Sequence, residues 1–248
     1  MLVLTYIILG ILQGVFEWLP ISSEGVLVLI SHFFLEDVNP IDLALFLHSG
    51  TFFAVLLYFR KDWKDIFLMR NKRLTYFLII SAVISLAVGW PLYKFIGSAV
   101  LGSGLLFLTG FGLLLTAFFH KKKITSNLSF NKLAAIAGFL QGLAVIPGMS
   151  RSGATIFALS LGKINPPRVL KLSYLMSLPV VFASNIYFLS AKPALFSVNG
   201  LIAFIFSFLI GILTLHFLLK FSQKINFFKF TLIFGLLCLL GAGIGFLF

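Results

Sequence analysis

Charge is what this sequence has least of. Only 10% of its 248 residues are Asp, Glu, Lys or Arg, where a soluble domain carries about 25%. So few charges cannot coat a water-facing surface, which excludes a soluble enzyme and a disordered chain. Acidic residues are the scarcest: there are seven, and none lies beyond Asp65. The single cysteine, Cys238, cannot close a disulfide within the chain. This excludes a secreted disulfide scaffold and leaves the redox compartment undefined. No Lys or Arg precedes Arg60, so no cleavable signal with a basic start is expected.

Apolar residues take the place of charge, at 60% of the chain with 31 Phe. A membrane-crossing helix needs roughly 20 mostly apolar residues. Six segments meet or nearly meet this: about 43–59, 74–93, 101–119, 172–190, 198–219 and 228–248. Two further apolar stretches are broken at their middles. Residues 1–35 are interrupted by Pro20, Ser22, Ser23, Glu24 and Gly25, and residues 133–161 by Pro147, Gly148, Ser150, Arg151, Ser152 and Gly153. Irregular polar backbone at membrane depth is tolerated only where it is buried in protein or lines a wet cavity. Both stretches therefore read as re-entrant helix hairpins with polar tips.

The two interruptions are related. Gly10, Leu12, Gln13 and Gly14 recur as Gly138, Leu140, Gln141 and Gly142, and Leu47 and Ser49 as Leu175 and Ser177. With a one-residue gap, Pro20 and Ser23 recur as Pro147 and Ser150. The chain reads as one integral-membrane domain, 1–248, built from repeats of about 1–120 and 130–248. Each repeat is a hairpin followed by three spans, and three is odd, so the second copy is expected upside down. The fold class expected is thus all-α and polytopic: six transmembrane helices plus two re-entrant hairpins in an inverted-topology repeat.

The cations agree with that layout. With the N-terminus outside, the loops at 60–73, 120–132, 162–171 and 220–229 fall inside and carry 16 of the 19 Lys and Arg, as the positive-inside rule requires. The net charge of +12 therefore orients the chain in a bilayer rather than binding nucleic acid. The hairpin tips are expected to meet near the midplane, where inverted-repeat membrane proteins place their sites.

Two charges remain at membrane depth, Glu17 and Arg151, and an intramembrane ion is functional by default. Gln13 and Glu17 are four apart and share a helix face. Glu17 suits a divalent cation, whose hard-oxygen shell Glu24 or substrate oxygens would complete; Gln13 reads equally as a buried structural amide. The run from Pro147 to Thr155 has the makings of an oxyanion cradle. Ser150 and Ser152 sit where a helix begins, whose free N–H groups favour phosphate. Arg151 adds a planar fork matched to phosphate oxygens, and Thr155 lies on its face. Ser22 and Ser23 read either as caps or as a nucleophile. His48, with Ser49 and Thr51, is a polar patch in an apolar span, either a satisfied buried histidine or a catalytic one.

At these residues the sequence resembles a known family, the undecaprenyl-diphosphate phosphatases, also known as bacitracin-resistance proteins. Residues 13–25, QGVFEWLPISSEG, resemble the family's (E/Q)xxxE element and the LP-hydrophobic-SS-x-G run that follows it. Residues 147–155, PGMSRSGAT, match its PGxSRSxxT element at every fixed position. Weaker likeness runs through Leu47 to Arg60 and Leu172 to Ala183. The resemblance implies hydrolysis of a polyprenyl diphosphate to the monophosphate and inorganic phosphate, aided by Mg²⁺ or Ca²⁺, on the outer side of the plasma membrane. It implies a metal and acid–base role for Gln13 and Glu17, a nucleophile or substrate ligand in Ser23, and diphosphate binding by Ser150, Arg151 and Thr155, with Ser22 and Ser152 beside them. One departure stands out: the family usually carries His after the Gly of the first motif, and here that residue is Val26. Glu24 and His48 are the candidates to replace it.

The expected protein is therefore a multi-pass membrane phosphatase with both termini outside, a lipid diphosphate as partner and a homo-oligomer left open. The alternative from another class is a transporter or flippase of a polyprenyl phosphate or other lipid phosphate, since broken helices in inverted repeats are typical of transporters.

Overall fold

Small residues decide where the helices of this chain can touch. The structure, a computed structural model, describes residues 2–20, 23, 26–27, 40–95, 102–121, 128–146, 149–162, 164–191 and 197–247. Among them the regular elements are all helical: α1 (Leu2–Phe16), α2 (Pro40–Tyr58), α3 (Arg60–Phe67), α4 (Lys72–Phe95), α5 (Gly102–Lys121), α6 (Phe130–Leu143), α7 (Arg151–Ser160), α8 (Pro166–Ala191), α9 (Val198–Ser222) and α10 (Phe227–Leu247). Lipid tails are as apolar as leucine, so membrane helices associate through close packing at small residues rather than through hydrophobic exclusion. Gly10 and Gly14 on α1 meet α9 in this way: a Cβ at Gly14 would lie 2.7 Å from the Gly211 nitrogen. Gly138 and Gly142 on α6 meet α4, with a Cβ at Gly142 only 2.8 Å from the Ser85 carbonyl oxygen. The first arm of each broken segment thus lies against the second long helix of the other half.

Among the described residues, four helices are long and apolar enough to cross a membrane, and a fifth span is made if α2 and α3 are taken together across their 78° bend. The chain is an all-helical, polytopic membrane protein. α5, 20 residues long, packs along α10. The arms α1, α6 and α7 have 15, 14 and 10 residues, each short of a full crossing.

One segment differs from the sequence reading. Residues 60–67, expected as part of a loop, form α3, which turns 78° from the axis of α2. Trp63 and Ile66 face inward while Arg60, Lys61 and Lys64 are exposed. Eight residues are too few to hold a helix alone. Packing of that two-residue apolar face, against a core that includes Phe59 and Phe77, holds it. Met69, at φ 53°, makes the tight turn into α4.

A Cβ at Gly138 would sit 2.5 Å from the Ser81 carbonyl oxygen, whereas one at Gly104 meets nothing within 4 Å. Gly138→Val is expected to destabilise the protein by about 1–3 kcal/mol, the usual penalty of overpacking. Gly104→Ala is expected to cause no loss. Thermal unfolding in detergent checks the pair.

Candidate active site

Glu17 cannot lie at the end of an apolar helix without partners, and the structure supplies three. α1 ends at Phe16, and a further helical hydrogen bond from Glu17 N to Gln13 O (3.0 Å) holds the next turn. Gln13 Nε2 donates to Glu17 Oε2 at 2.7 Å, the four-residue spacing placing both on one face. His48 Nε2, from α2, lies 3.2 Å from the same oxygen. Arg151 Nη2, from the start of α7, donates to Glu17 Oε1. The side chains of Glu17 and Arg151 are 4% and 16% exposed, so this is a buried pair joining the two broken segments.

The turn carrying Glu17 is pinned on the far side. Trp18 is fully buried, its Nε1 donates to Gly211 O at 2.9 Å, and its ring meets Tyr174 edge-on at 5.0 Å. Ser152 Oγ donates to Leu19 O at 2.8 Å, tying α7 to the same turn. Ser150 is the N-cap of α7, its Oγ accepting from Gly153 N at 3.1 Å. Its hydroxyl thus satisfies one free N–H of the helix start. His48 Nδ1 lies 2.8 Å from Ala44 O, which fixes the ring and leaves Nε2 toward Glu17.

These side chains form one pole of a cavity of about 1190 Å³, open mouth included. Glu17, Ser23, His48, Ser150, Arg151 and Ser152 line that pole. The remaining wall is mostly apolar or aromatic and comes from α4, α6 and α8. Gly89 closes it on one side, where α4 runs so near α6 that a Cβ would meet the Gly142 carbonyl oxygen at 3.3 Å.

Of the residues singled out in the sequence, Gln13, Glu17, Ser23, His48, Ser150, Arg151 and Ser152 are brought together or to this cavity. Ser22 and Glu24 lie outside the described residues. Thr155 is placed elsewhere. It is fully buried, its Oγ1 bonded to the Arg151 and Ser152 carbonyls and 2.6 Å from Ser173 Oγ, and it does not line the cavity. Its hydroxyl braces α7 against α8, on the same face of the helix as Arg151 but one turn further from the cavity. The position of Val26 is helical and half-buried, away from the cavity wall.

Sequence reasoning missed Gln141, Ser85 and Ser177, which also line the cavity. Gln141 Nε2 donates to Ser85 Oγ at 3.2 Å and to Met176 O at 3.1 Å. The available signal was the repeat itself, since Gln141 is the counterpart of Gln13 and Ser177 of Ser49.

Removing one partner of a buried ion pair strands the other charge, at about 3–5 kcal/mol, whereas replacing both is often neutral. Arg151→Met is therefore expected to destabilise the protein strongly, and Glu17→Gln combined with Arg151→Met to recover most of the loss. A thermal double-mutant cycle in detergent measures this.

Residues 6–241 match the family model described as bacitracin resistance protein BacA. The chain is 32% identical to an undecaprenyl-diphosphatase of Methanococcoides burtonii, over 94% of this chain and 96% of the relative. It is 34% identical to one of Haloarcula marismortui, over 96% and 97%. A bacterial relative of the same name, from Acholeplasma laidlawii, is 35% identical over 92% and 91%. With a buried carboxylate–guanidinium pair at the head of an apolar cavity, and a family match spanning nearly all of its length, this chain belongs to the bacitracin resistance protein BacA family.

Proposed function

We propose that this protein is a membrane phosphatase that hydrolyses a polyprenyl diphosphate of the undecaprenyl type to the monophosphate and inorganic phosphate, returning a lipid carrier to use. The observation that carries this reading is the shape of the cavity's chemistry: Arg151, Glu17 and three serines at one pole, apolar wall beyond. An amphiphile with a small anionic head and a long hydrocarbon tail matches both parts. The relatives, named undecaprenyl-diphosphatases, supply the reaction.

Arg151, with the N-terminal turn of α7 and Ser150 and Ser152, binds the diphosphate. A guanidinium fork and a helix start both favour phosphate oxygens. In a water-poor site their attraction for charge developing on the transferred phosphoryl group is stronger than in solution. Ser23 is buried and lines the same cavity, and in this reading it is the nucleophile or the group that holds the attacking water. As the new P–O bond forms and the bridging P–O bond breaks, the attacking hydroxyl loses its proton to Glu17 and the prenyl monophosphate leaves; where Ser23 itself attacks, a water then cleaves the phosphoserine, frees inorganic phosphate and restores the serine. His48 stands behind that carboxylate in the role that Val26 cannot fill.

A divalent cation suits these residues. Gln13 Oε1 is buried without a partner while the amide nitrogen holds Glu17, so turning the amide over would set a second hard oxygen donor beside the carboxylate. Among the described residues no group of three or more His, Cys, Asp or Glu exists to hold a metal alone. Mg²⁺ commonly needs only one or two carboxylates once phosphate oxygens join. Gln13 and Glu17 would hold it, and when bound it would neutralise diphosphate charge. Thr155 supports the site by bracing Arg151's helix rather than by touching substrate.

The same reading takes the chain as six spans and two re-entrant hairpins in inverted repeats, with termini and site toward the outside of the plasma membrane. The matched packing of α1 on α9 and of α6 on α4 supports the repeats, and the distribution of cations supports the orientation. Lipid-phosphate transport would share the phosphate-binding pole, but the relatives are named for hydrolysis.

Purified protein with Mg²⁺ or Ca²⁺ is expected to release phosphate from farnesyl diphosphate. Arg151→Ala is expected to lower the rate by about 10²–10³, the loss seen when one donor to a developing oxyanion is removed. Glu17→Gln is expected to abolish the dependence on cation. Release no greater than that of Arg151→Ala, with prenyl diphosphate still bound, would instead support transport.

A further inference from the structure

The far end of the cavity from Arg151 is aromatic, and nothing in the reaction itself uses it. Trp90 and Tyr93 on α4 and Tyr187 on α8 line it. Tyr187 meets Trp90 edge-on at 6.1 Å and Tyr93 edge-on at 6.0 Å, while Trp90 and Tyr93 are stacked at 6.3 Å. Between this corner and the polar pole run two facing stripes. Leu86, Trp90 and Tyr93 lie on one side of α4, and Val180, Ala183 and Tyr187 on one side of α8. Both sets have the three- and four-residue steps that share a helix face. Trp90 is 49% exposed, so this end of the corridor reaches the protein's surface.

Resting on the phosphatase reading above, the geometry points to these two stripes as a subsite for the first isoprene units of the lipid, with Trp90 and Tyr187 as its gateposts. Two arguments carry the assignment. The corridor is continuous with the pole that takes the diphosphate, so a chain attached to that head has this exit. Its length also fits. Seven residues of helix rise about 10 Å, which holds a few isoprene units and is far short of a whole carrier chain. Each isoprene unit offers a flat, trisubstituted double bond, and flat π-bearing groups pack well against aromatic faces and edges. A saturated chain has no such faces. Each of the two helices carries one interior proline along the corridor, Pro91 next to Trp90 and Pro179 next to Val180. Each removes one helical hydrogen bond where the corridor needs room. Lys94, with its Nζ 5.1 Å from the centre of the Trp90 ring, anchors that residue.

The consequence is a protein that recognises the root of the chain and not its length. KM for phosphate release is expected to fall from dimethylallyl to farnesyl diphosphate and then to stay level for longer prenyl diphosphates. A saturated alkyl diphosphate of farnesyl length is expected to bind more weakly. Trp90→Ala is expected to raise KM for farnesyl diphosphate about tenfold, the loss of one aromatic contact in affinity terms, and to leave kcat and the dimethylallyl KM nearly unchanged. Val181→Trp, which narrows the corridor from α8 without touching the polar pole, is expected to do the same. An unchanged farnesyl-to-dimethylallyl KM ratio in both variants overturns the subsite while leaving the phosphatase reading intact. So does a wild-type KM that keeps falling beyond farnesyl.

A second measurement does not depend on hydrolysis. A farnesyl phosphate carrying a diazirine on its first isoprene, photolysed with the purified protein, is expected to label peptides containing residues 86–93 and 180–187. Labelling confined to other helices overturns the proposal even if the protein releases no phosphate at all.

Discussion

A carboxylate and a guanidinium cannot be left alone at membrane depth, and the structure is arranged around bringing one of each together. Glu17 comes from the end of α1 and Arg151 from the start of α7, 134 positions apart. Neither arm is long enough to cross a bilayer, so neither charge can slide to an interface. Each arm is instead gripped by a full-length helix, α1 through Gly10 and Gly14 and the α6–α7 unit through Gly138 and Gly142. The glycines let backbones approach closely enough to fix the arms, and Trp18, Tyr174 and Ser152 fix the turn between them. A looser scaffold would leave two costly charges unpaired.

The pair also sets the terms on which a ligand can enter. Both oxygens of Glu17 are engaged, one by Arg151 and the other by Gln13 and His48. An anion that draws Arg151 away leaves Glu17 with His48 and the neutral Gln13 amide. Under the proposed function, a cation then balances the carboxylate, and the Gln13 Oε1, buried without a partner, is a group that could accept it. A diphosphate accompanied by a divalent ion would meet both demands at once; a free anion or a free metal would meet only one.

Much of this was legible in the sequence. A Glu and an Arg in otherwise apolar stretches, each interrupted by Pro, Gly and Ser, pointed to two polar elbows, and the recurrence of GxLQG pointed to related packing. What was not legible depended on contacts between distant segments. Thr155 lies on the face expected for it, but Ser173, from α8, satisfies its hydroxyl and turns it from ligand to brace. The charge pattern of residues 60–67 reads as a loop. Burial of Trp63 and Ile66 against the core makes it a helix, and no local rule reveals that core. His48 has an ordinary local setting, and only the placement of α2 beside the first turn puts its ring on Glu17. The aromatic corner requires α4 and α8 to face each other across a cavity, which neither stripe announces alone.

Under the proposed repeat, there is a physical reason for the cavity to have one polar pole and not two. At the offset of 128 that relates Gln13 to Gln141, Glu17 corresponds to Val145 and His48 to Met176. Gln141 keeps its buried place and bonds the Met176 carbonyl, but the carboxylate and the imidazole have become apolar, and Val145 lines the cavity. Two copies of the acidic cluster would put two carboxylates in one enclosed space with a single arginine to balance them. Like charges so placed cannot both stay ionised. Dropping one copy removes that conflict, and it also turns half of the cavity into hydrocarbon-compatible wall. The apolar residues at the positions matching Glu17 and His48 therefore also leave room for a lipid tail, so the chemistry of the head site and the grease of the corridor both follow from the asymmetry between the halves.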